Sequence, residues 1–353
     1  MKYPTLETFL KSNTFNDQQI ELDFKNLYYG VQKLQKIKPK LVQYKNLEKL
    51  KLNLENNQLS QQGALFLSQA ISNHVNLISL DINLSSNNIN DTGTSNLGKG
   101  IGDCTNLTTL ILNLNCNSIT NIGLLNLAQR LAQCIYLKYL NISFSKNNIS
   151  GAKTLDFLNS ISLIQNLTHL DLDFEQNKLG SLGAYELGTS IVKCQSLETI
   201  KIELLYNTIG DKGLLELANG LVQLNSLNTL TLYLKFNQIT DEGASQLGNQ
   251  LLKSKSITNL TLKLDSNVIK GQGAADLIVF LGKSTTIKNL ILYLRYNQID
   301  DQGMNEFCQG MLKCHNLINF QIYMRYNWFK SNNQSFYHKI LKMKRIVQYN
   351  YLI

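Results

Sequence analysis

Apolar and polar residues alternate through Leu50-Lys51-Leu52-Asn53-Leu54, the period-2 signature of a strand with one buried face. The full pattern around it is Leu47-x-x-Leu50-x-Leu52-x-Leu54-x-x-Asn57-x-Leu59, and it returns at 77, 107, 137, 167, 197, 227, 257, 287 and 317 without an insertion. The polar member recurs every time, as Asn57, Asn87, Asn117, Asn147, Asn177, Asn207, Asn237, Asn267, Asn297 and Asn327. Ten units of thirty residues override the two or three globular domains that 353 residues would otherwise suggest.

The second half of each unit carries a helical period. Leu67 and Ile71, like Leu127 and Leu131, stand four apart and share one helical face. Just before, Asp91, Asn121, Ser181, Asp211, Asp241 and Asp301 occupy one register, which reads as the N-cap. Two residues later comes a glycine, at 63, 93, 123, 183, 213, 243, 273 and 303, and its recurrence predicts a tight backbone approach. The repeated asparagine lies beside the core and must find partners or cost free energy. Stacked repeats supply them, with each amide bonding backbone of the turn after the strand in a continuous ladder.

These residues resemble the leucine-rich-repeat family, and the order of strand, helix and glycine is most similar to its ribonuclease-inhibitor-like subfamily. The family's usual L-x-x-L-x-L-x-x-N-x-L here reads L-x-x-L-x-L-x-L-x-x-N-x-I/L, with two more residues in the strand. The resemblance implies an α/β horseshoe solenoid, with a parallel sheet on the concave face and helices on the convex face.

Solenoids need atypical terminal units to cover their apolar ends. Ile20, Leu22 and Phe24 stand thirty residues before Leu50, Leu52 and Leu54, so a degenerate unit starts the stack. Its helix is expected to bury Leu34, Ile37 and Leu41 and to turn Lys33, Lys36 and Lys40 outward. The domain reading is an N-terminal cap at 1–46, ten repeats over 47–329, and a C-terminal cap at 330–353 with a helix around Phe336 to Met343. Residues 1–46 carry eight Lys or Arg against four Asp or Glu, and residues 330–353 carry five against none. That accounts for the whole net charge of +9 and leaves the repeats neutral. The basic excess therefore reads as solvated ends in preference to a nucleic-acid site.

No stretch reaches a signal peptide or a membrane span, which points to an intracellular, cytoplasmic protein, with nuclear and cytoskeletal or ciliary settings open. Asn106-Leu107-Thr108 and Asn166-Leu167-Thr168 then count as accidents of an asparagine-rich chain. Cys104, Cys134, Cys194 and Cys314 share one register, where other repeats place His74, Ile164, Leu224, Ser254 and Ser284. That is a semi-buried packing position, not a disulfide or metal site. Gly282-Lys283-Ser284-Thr285 lacks the earlier glycine of a phosphate-binding loop, since Leu277 stands there. The histidines 74, 169, 315 and 338 are scattered, no nucleophile and base pair emerges, and no cofactor is indicated. The chain reads as a non-enzyme.

Function is expected on the strand columns that point away from the helices. Early repeats are polar there. Repeat 5 turns acidic with Asp171, Asp173 and Glu175, continued by Glu203. Late repeats turn aromatic and basic: Tyr233, Lys235 and Phe236 recur as Tyr293, Arg295 and Tyr296, then as Tyr323, Arg325 and Tyr326, with Lys263, Asp265 and Ser266 interrupting. Tyr and Arg are frequent interface anchors, although rings in one register also have the option of stacking on each other. The reading is a noncatalytic scaffold that binds another protein, within a larger assembly or alone. One alternative is a GTPase-activating protein for a small GTPase, an activity known in a branch of the subfamily whose acidic C-terminal tail this chain lacks. A further alternative is single-stranded RNA binding. Oligomeric state is left open.

Overall fold

The computed structural model describes residues 1–329 apart from Pro4, Thr14, Ala152 and Lys153. The expected C-terminal cap at 330–353 lies outside the described residues. The chain divides into two compact units, Met1–Asn177 and Lys178–Ile353.

The first unit contains strands β1 (Lys2–Tyr3), β2 (Gln19–Asp23), β3 (Lys49–Asn53), β4 (Ser79–Asn83), β5 (Thr109–Asn113), β6 (Tyr139–Ser143) and β7 (His169–Asp173). Between them run helices α1 (Leu6–Lys11), α2 (Gly30–Leu41), α3 (Ser60–Ile71), α4 (Asp91–Gly102), α5 (Asn121–Leu131) and α6 (Thr154–Ile161). The strands pair in chain order, all in parallel. From β2 onward each residue faces the one thirty positions later, as Leu50 faces Leu80 and Leu110 faces Leu140, so the sequence period is the sheet register.

The second unit repeats the plan with α7 (Gly180–Ile191), β8 (Thr199–Glu203), α8 (Gly210–Leu221), β9 (Thr229–Tyr233), α9 (Asp241–Leu251), β10 (Asn259–Lys263), α10 (Gly271–Lys283), β11 (Asn289–Tyr293), α11 (Asp301–Leu312) and β12 (Asn319–Tyr323). Here too the strands pair in parallel at an offset of thirty. Parallel neighbours need a crossover between them, and one helix per repeat supplies it. Each unit is thus an open parallel sheet layered on helices, an α/β solenoid plan.

The core lies between the layers. Leu50 and Leu52 of β3 and Leu67 and Ile71 of α3 are all buried. Sheet bonding runs past the five-residue strands: the Leu54 amide donates to the Asn83 carbonyl at 2.8 Å and the Asn56 amide to the Ser85 carbonyl at 2.9 Å. The two extra residues of the motif extend this pairing and hold Leu54 and Leu84 in the core. In the first unit Phe144 and Phe174 stack at 5.8 Å, and Phe157 of α6 meets both edge-on.

The asparagines sit in this core and bridge repeats. Asn117 donates from Nδ2 to the carbonyls of Leu84 and Asn115 and accepts at Oδ1 from the amides of Asn87 and Ile89. Asn87 repeats the arrangement one unit earlier toward Asn57 and Leu59, and in the second unit Asn237 and Asn267 do the same.

The expected N-cap register is corrected by one residue and by one repeat. The caps of α4, α5, α9 and α11 are Asn90, Thr120, Thr240 and Asp300, while α7 and α8 begin at Gly180 and Gly210. Asp91 and Asp211 instead reach the next repeat. Asp91 Oδ1 accepts from the amides of Thr120 and Gly123, and its Oδ2 from the Thr120 hydroxyl at 2.6 Å. Asp211 does likewise to Thr240, and Asp241 accepts from Lys270 and Gly273. The reason is geometric: the neighbouring helix start lies one strand spacing away and presents unpaired amides at its positive end. The recurrent glycine is the receiving surface, because a Cβ on Gly123 would stand 2.5 Å from Asp91 Oδ1. Asp91→Ala is expected to destabilise the first unit by about 1–2 kcal/mol in urea denaturation, with Asp91→Asn milder. No loss in the alanine variant would contradict this role.

At the start of the chain, Thr5 closes a capping box on α1, and Phe9 packs against Tyr3 and Tyr44. The Tyr3 and Tyr44 hydroxyls meet at 3.0 Å, and burial pushes the Tyr44 phenol up to about 12. In α2, Leu34, Ile37 and Leu41 are buried and Lys33 and Lys36 are exposed, but Lys40 is not outward. The segment after α1 covers it, and its ammonium donates to the Ser12 carbonyl and lies 4.4 Å from the centre of the Phe15 ring.

The cysteine register is also deeper than its mixed occupancy suggested. Cys104 and Cys134 are fully enclosed, and burial raises the thiols of Cys104, Cys134, Cys194 and Cys314 to about 12. His74 shares the register at 2% exposure, with neither ring nitrogen hydrogen-bonded among the described residues. Burial holds its imidazole below the ordinary 6.5. Folded His74 therefore binds fewer protons than unfolded His74. Its contribution is present above pH 6.5 and is lost as pH falls from there through the lowered folded value. His74→Leu, a residue already accommodated at this register by Leu224, is expected to flatten the loss of stability below pH 6.5. Urea midpoints that fall with pH as steeply as in the parent chain would contradict it.

Candidate protein-binding surface

The sheet face turned away from the helices is where the expected partner-binding residues stand, and each unit presents its own set. In the first unit Asp171, Asp173 and Glu175 are half-buried. Asp171 accepts from Asn141 Nδ2 at 3.1 Å, and Asp173 accepts from the Ser143 hydroxyl at 2.6 Å and the Glu175 amide at 2.8 Å. These carboxylates are built into a polar network along the strands. In the second unit Glu203 pairs with Lys201 at 2.5 Å.

The second unit gathers the aromatic and basic residues into three rows. The first follows the last strand residue: Tyr233, Lys263, Tyr293 and Tyr323. Lys263 lies 4.0 Å from the Tyr233 ring centre and 5.1 Å from that of Tyr293, while Tyr293 and Tyr323 stack at 4.3 Å and 6°. Burial, together with Tyr323, raises the Tyr293 phenol. The second row, two residues on, is Lys235, Asp265, Arg295 and Arg325. Asp265 is only 6% exposed and accepts from both the backbone amide and Nε of Arg295. The residue that interrupts the basic column in the sequence is therefore the counterion of its neighbour. Among the described residues Lys235, Lys263 and Arg325 form no ion pair.

The third row lies just before the ladder asparagines. It contains Phe236, Tyr296 and Tyr326, and also Tyr206, which the column reading overlooked although it stands thirty residues before Phe236. Tyr206 stacks on Phe236 at 4.2 Å, and Tyr296 on Tyr326 at 4.3 Å. Stacking does not hide these rings: Tyr206 is 42%, Phe236 37%, Tyr296 52% and Tyr326 61% exposed. Both options open at the sequence level, self-stacking and a surface display, are realised together. All four have left-handed backbone, with φ between 54° and 60°, a conformation that costs an L-residue other than glycine, asparagine or aspartate about 1–2 kcal/mol. The first unit fills the same register with Asn26, Asn56, Ser86, Cys116, Lys146 and Gln176. Trp328, the single tryptophan, was also missed and is 66% exposed near this row's end.

Among the described residues no cluster of His, Cys, Asp and Glu is placed to hold a metal ion, and no helix is long and apolar enough to cross a membrane. No curated protein matches the chain. The profile of a family described as Leucine Rich repeat matches residues 226–248. That match, together with the parallel strands and intervening helices of each unit, fits a leucine-rich-repeat protein.

Proposed function

We propose that the chain is a noncatalytic protein-binding scaffold, a leucine-rich-repeat protein of the ribonuclease-inhibitor-like kind, which takes its partner on the open sheet face of the second unit. Leucine-rich repeats generally mediate protein binding, which supports the class of activity. One observation carries the choice of surface: four large rings occupy a turn register that the first unit fills with Asn26, Asn56, Ser86, Cys116, Lys146 and Gln176, and they remain exposed. Their mutual stacking returns about 0.5–1.5 kcal/mol per pair and leaves more than a third of each ring exposed. Exposed aromatic residues beside cations that have no ion pair among the described residues have the composition of interface anchors.

The test is recovery from native extract by the immobilised chain, compared with a chain carrying Tyr293→Ala, Arg295→Ala, Tyr323→Ala and Arg325→Ala. Specific recovery is expected to disappear while the circular dichroism is retained. Unchanged recovery would move the site off this face. A panel of small GTPases is expected to hydrolyse GTP no faster with the chain than without it, and clear stimulation would overturn the noncatalytic reading.

A further inference from the structure

The row of rings in the second unit has a missing member. Reading by repeats, it runs Tyr206, Phe236, Ser266, Tyr296, Tyr326. The two flanking pairs stack at 4.2 and 4.3 Å with interplanar angles of 18° and 13°, so the rings follow the strand spacing and lie across the strands. One face of Phe236 is covered by Tyr206 and one face of Tyr296 by Tyr326. The remaining faces look from either side toward repeat 8, where the Ser266 hydroxymethyl group stands and where the flexible Lys235 side chain reaches over the Phe236 ring. The backbone there is in register, since the Ser266 amide donates to the Arg295 carbonyl at 2.8 Å. Ser266 also has φ of 54°, like the positions bearing rings.

Two strand steps separate Phe236 from Tyr296, roughly 9–10 Å. A planar ring seated midway would stand about 4–5 Å from each, the separation the existing pairs already adopt. Val268, two residues beyond Ser266, is 39% exposed. The charge around the gap has one sign. The Lys235 ammonium lies 5.0 Å from the Phe236 ring centre, and Lys263 stands three residues before Ser266 at the end of its strand, whereas Asp265, in the adjacent row, is buried and held by Arg295.

We propose that the Ser266 gap is a slot for an aromatic side chain of a partner protein, flanked in that partner by acidic residues. The partner ring completes a five-membered stack, and its neighbouring carboxylates meet Lys235 and Lys263. Acidic peptide is favoured over single-stranded RNA because a nucleic acid needs a continuous cationic track, and the neutralised pairs Lys201–Glu203 and Arg295–Asp265 interrupt this one. The inference names the partner chemistry of the surface proposed above and rests on that reading.

The probe is the fluorescein-labelled peptide Glu-Glu-Tyr-Glu-Glu, with versions carrying Ala or Leu in place of Tyr, titrated by fluorescence anisotropy. Replacing Tyr by Ala or Leu is expected to weaken binding by about tenfold or more, from the loss of two ring faces. Ser266→Tyr fills the slot from within. The same turn already carries Tyr at 206, 296 and 326, so the variant is expected to fold, and to bind the Tyr peptide no better than the Ala peptide. Equal affinity for all three peptides, undiminished Tyr selectivity in Ser266→Tyr, or no binding of any peptide would overturn the slot. If extract recovery still depends on Tyr293 and Tyr323 in those cases, the binding face stands without it. Tighter binding of oligouridine than of the Tyr peptide would overturn both the slot and the choice of a protein partner.

Discussion

Asn117→Ala is expected to lower stability by about 3–5 kcal/mol. The side chain is fully buried and makes four hydrogen bonds at 2.9–3.0 Å, two donated from Nδ2 and two accepted at Oδ1. Alanine leaves the buried amides of Asn87 and Ile89 without this partner, each orphaned amide costing about 1–3 kcal/mol, while the Leu84 carbonyl keeps the bond from Asn87 Nδ2. Because a solenoid holds together through nearest-neighbour contacts, the loss falls on the junction of the repeats containing Asn87 and Asn117. Asn117→Asp keeps the two accepted bonds but sets a carboxylate against the Leu84 and Asn115 carbonyls, so it is expected to be no milder. Urea denaturation of the three chains measures this. A loss below about 1 kcal/mol for alanine would mean that the ladder is dispensable.

Replacing Tyr206, Phe236, Tyr296 and Tyr326 together by asparagine is expected to remove partner binding without lowering stability. The two outcomes separate because the terms oppose each other in the free chain. Each substitution relieves about 1–2 kcal/mol of left-handed backbone cost, since asparagine adopts that conformation readily and does so at Asn26 and Asn56. Each stacked pair removed gives back about 0.5–1.5 kcal/mol. For each pair the backbone relief exceeds the stacking lost, so the net is stabilising. In a complex nothing compensates for lost anchors, and buried aromatic anchors are commonly worth 2 kcal/mol or more each. The measurement is thermal midpoint alongside partner recovery. A large fall in midpoint would make the rings part of the fold, and retained recovery would make them bystanders.

Much of this architecture was legible because in a stacked repeat the spatial neighbour is the residue thirty positions away. Writing the sequence in rows of thirty places Leu50 over Leu80 and Asn87 over Asn117, which are contacts in the fold. What escaped depended on where side chains reach. Asp91 has two helix starts within range, its own and the next, and only the stacking distance decides between them. Lys40 carries an outward pattern within α2, yet a segment from outside the period covers it. The pairing of Asp265 with Arg295 was readable in principle, as opposite charges one repeat apart in one column. Tyr206 was passed over because its repeat is otherwise acidic and apolar at Glu203 and Leu205. The left-handed backbone at this register is invisible in the pattern of residue types, and it is shared by ring-bearing and other repeats alike.

The most direct test of the binding surface is amide hydrogen exchange of the chain, free and saturated with the partner recovered from extract. Slowed exchange is expected around residues 233–236, 263–266, 293–296 and 323–326, with the helices α7 to α11 unchanged. Protection confined to those helices, with the sheet-face segments exchanging as in the free chain, would contradict the account.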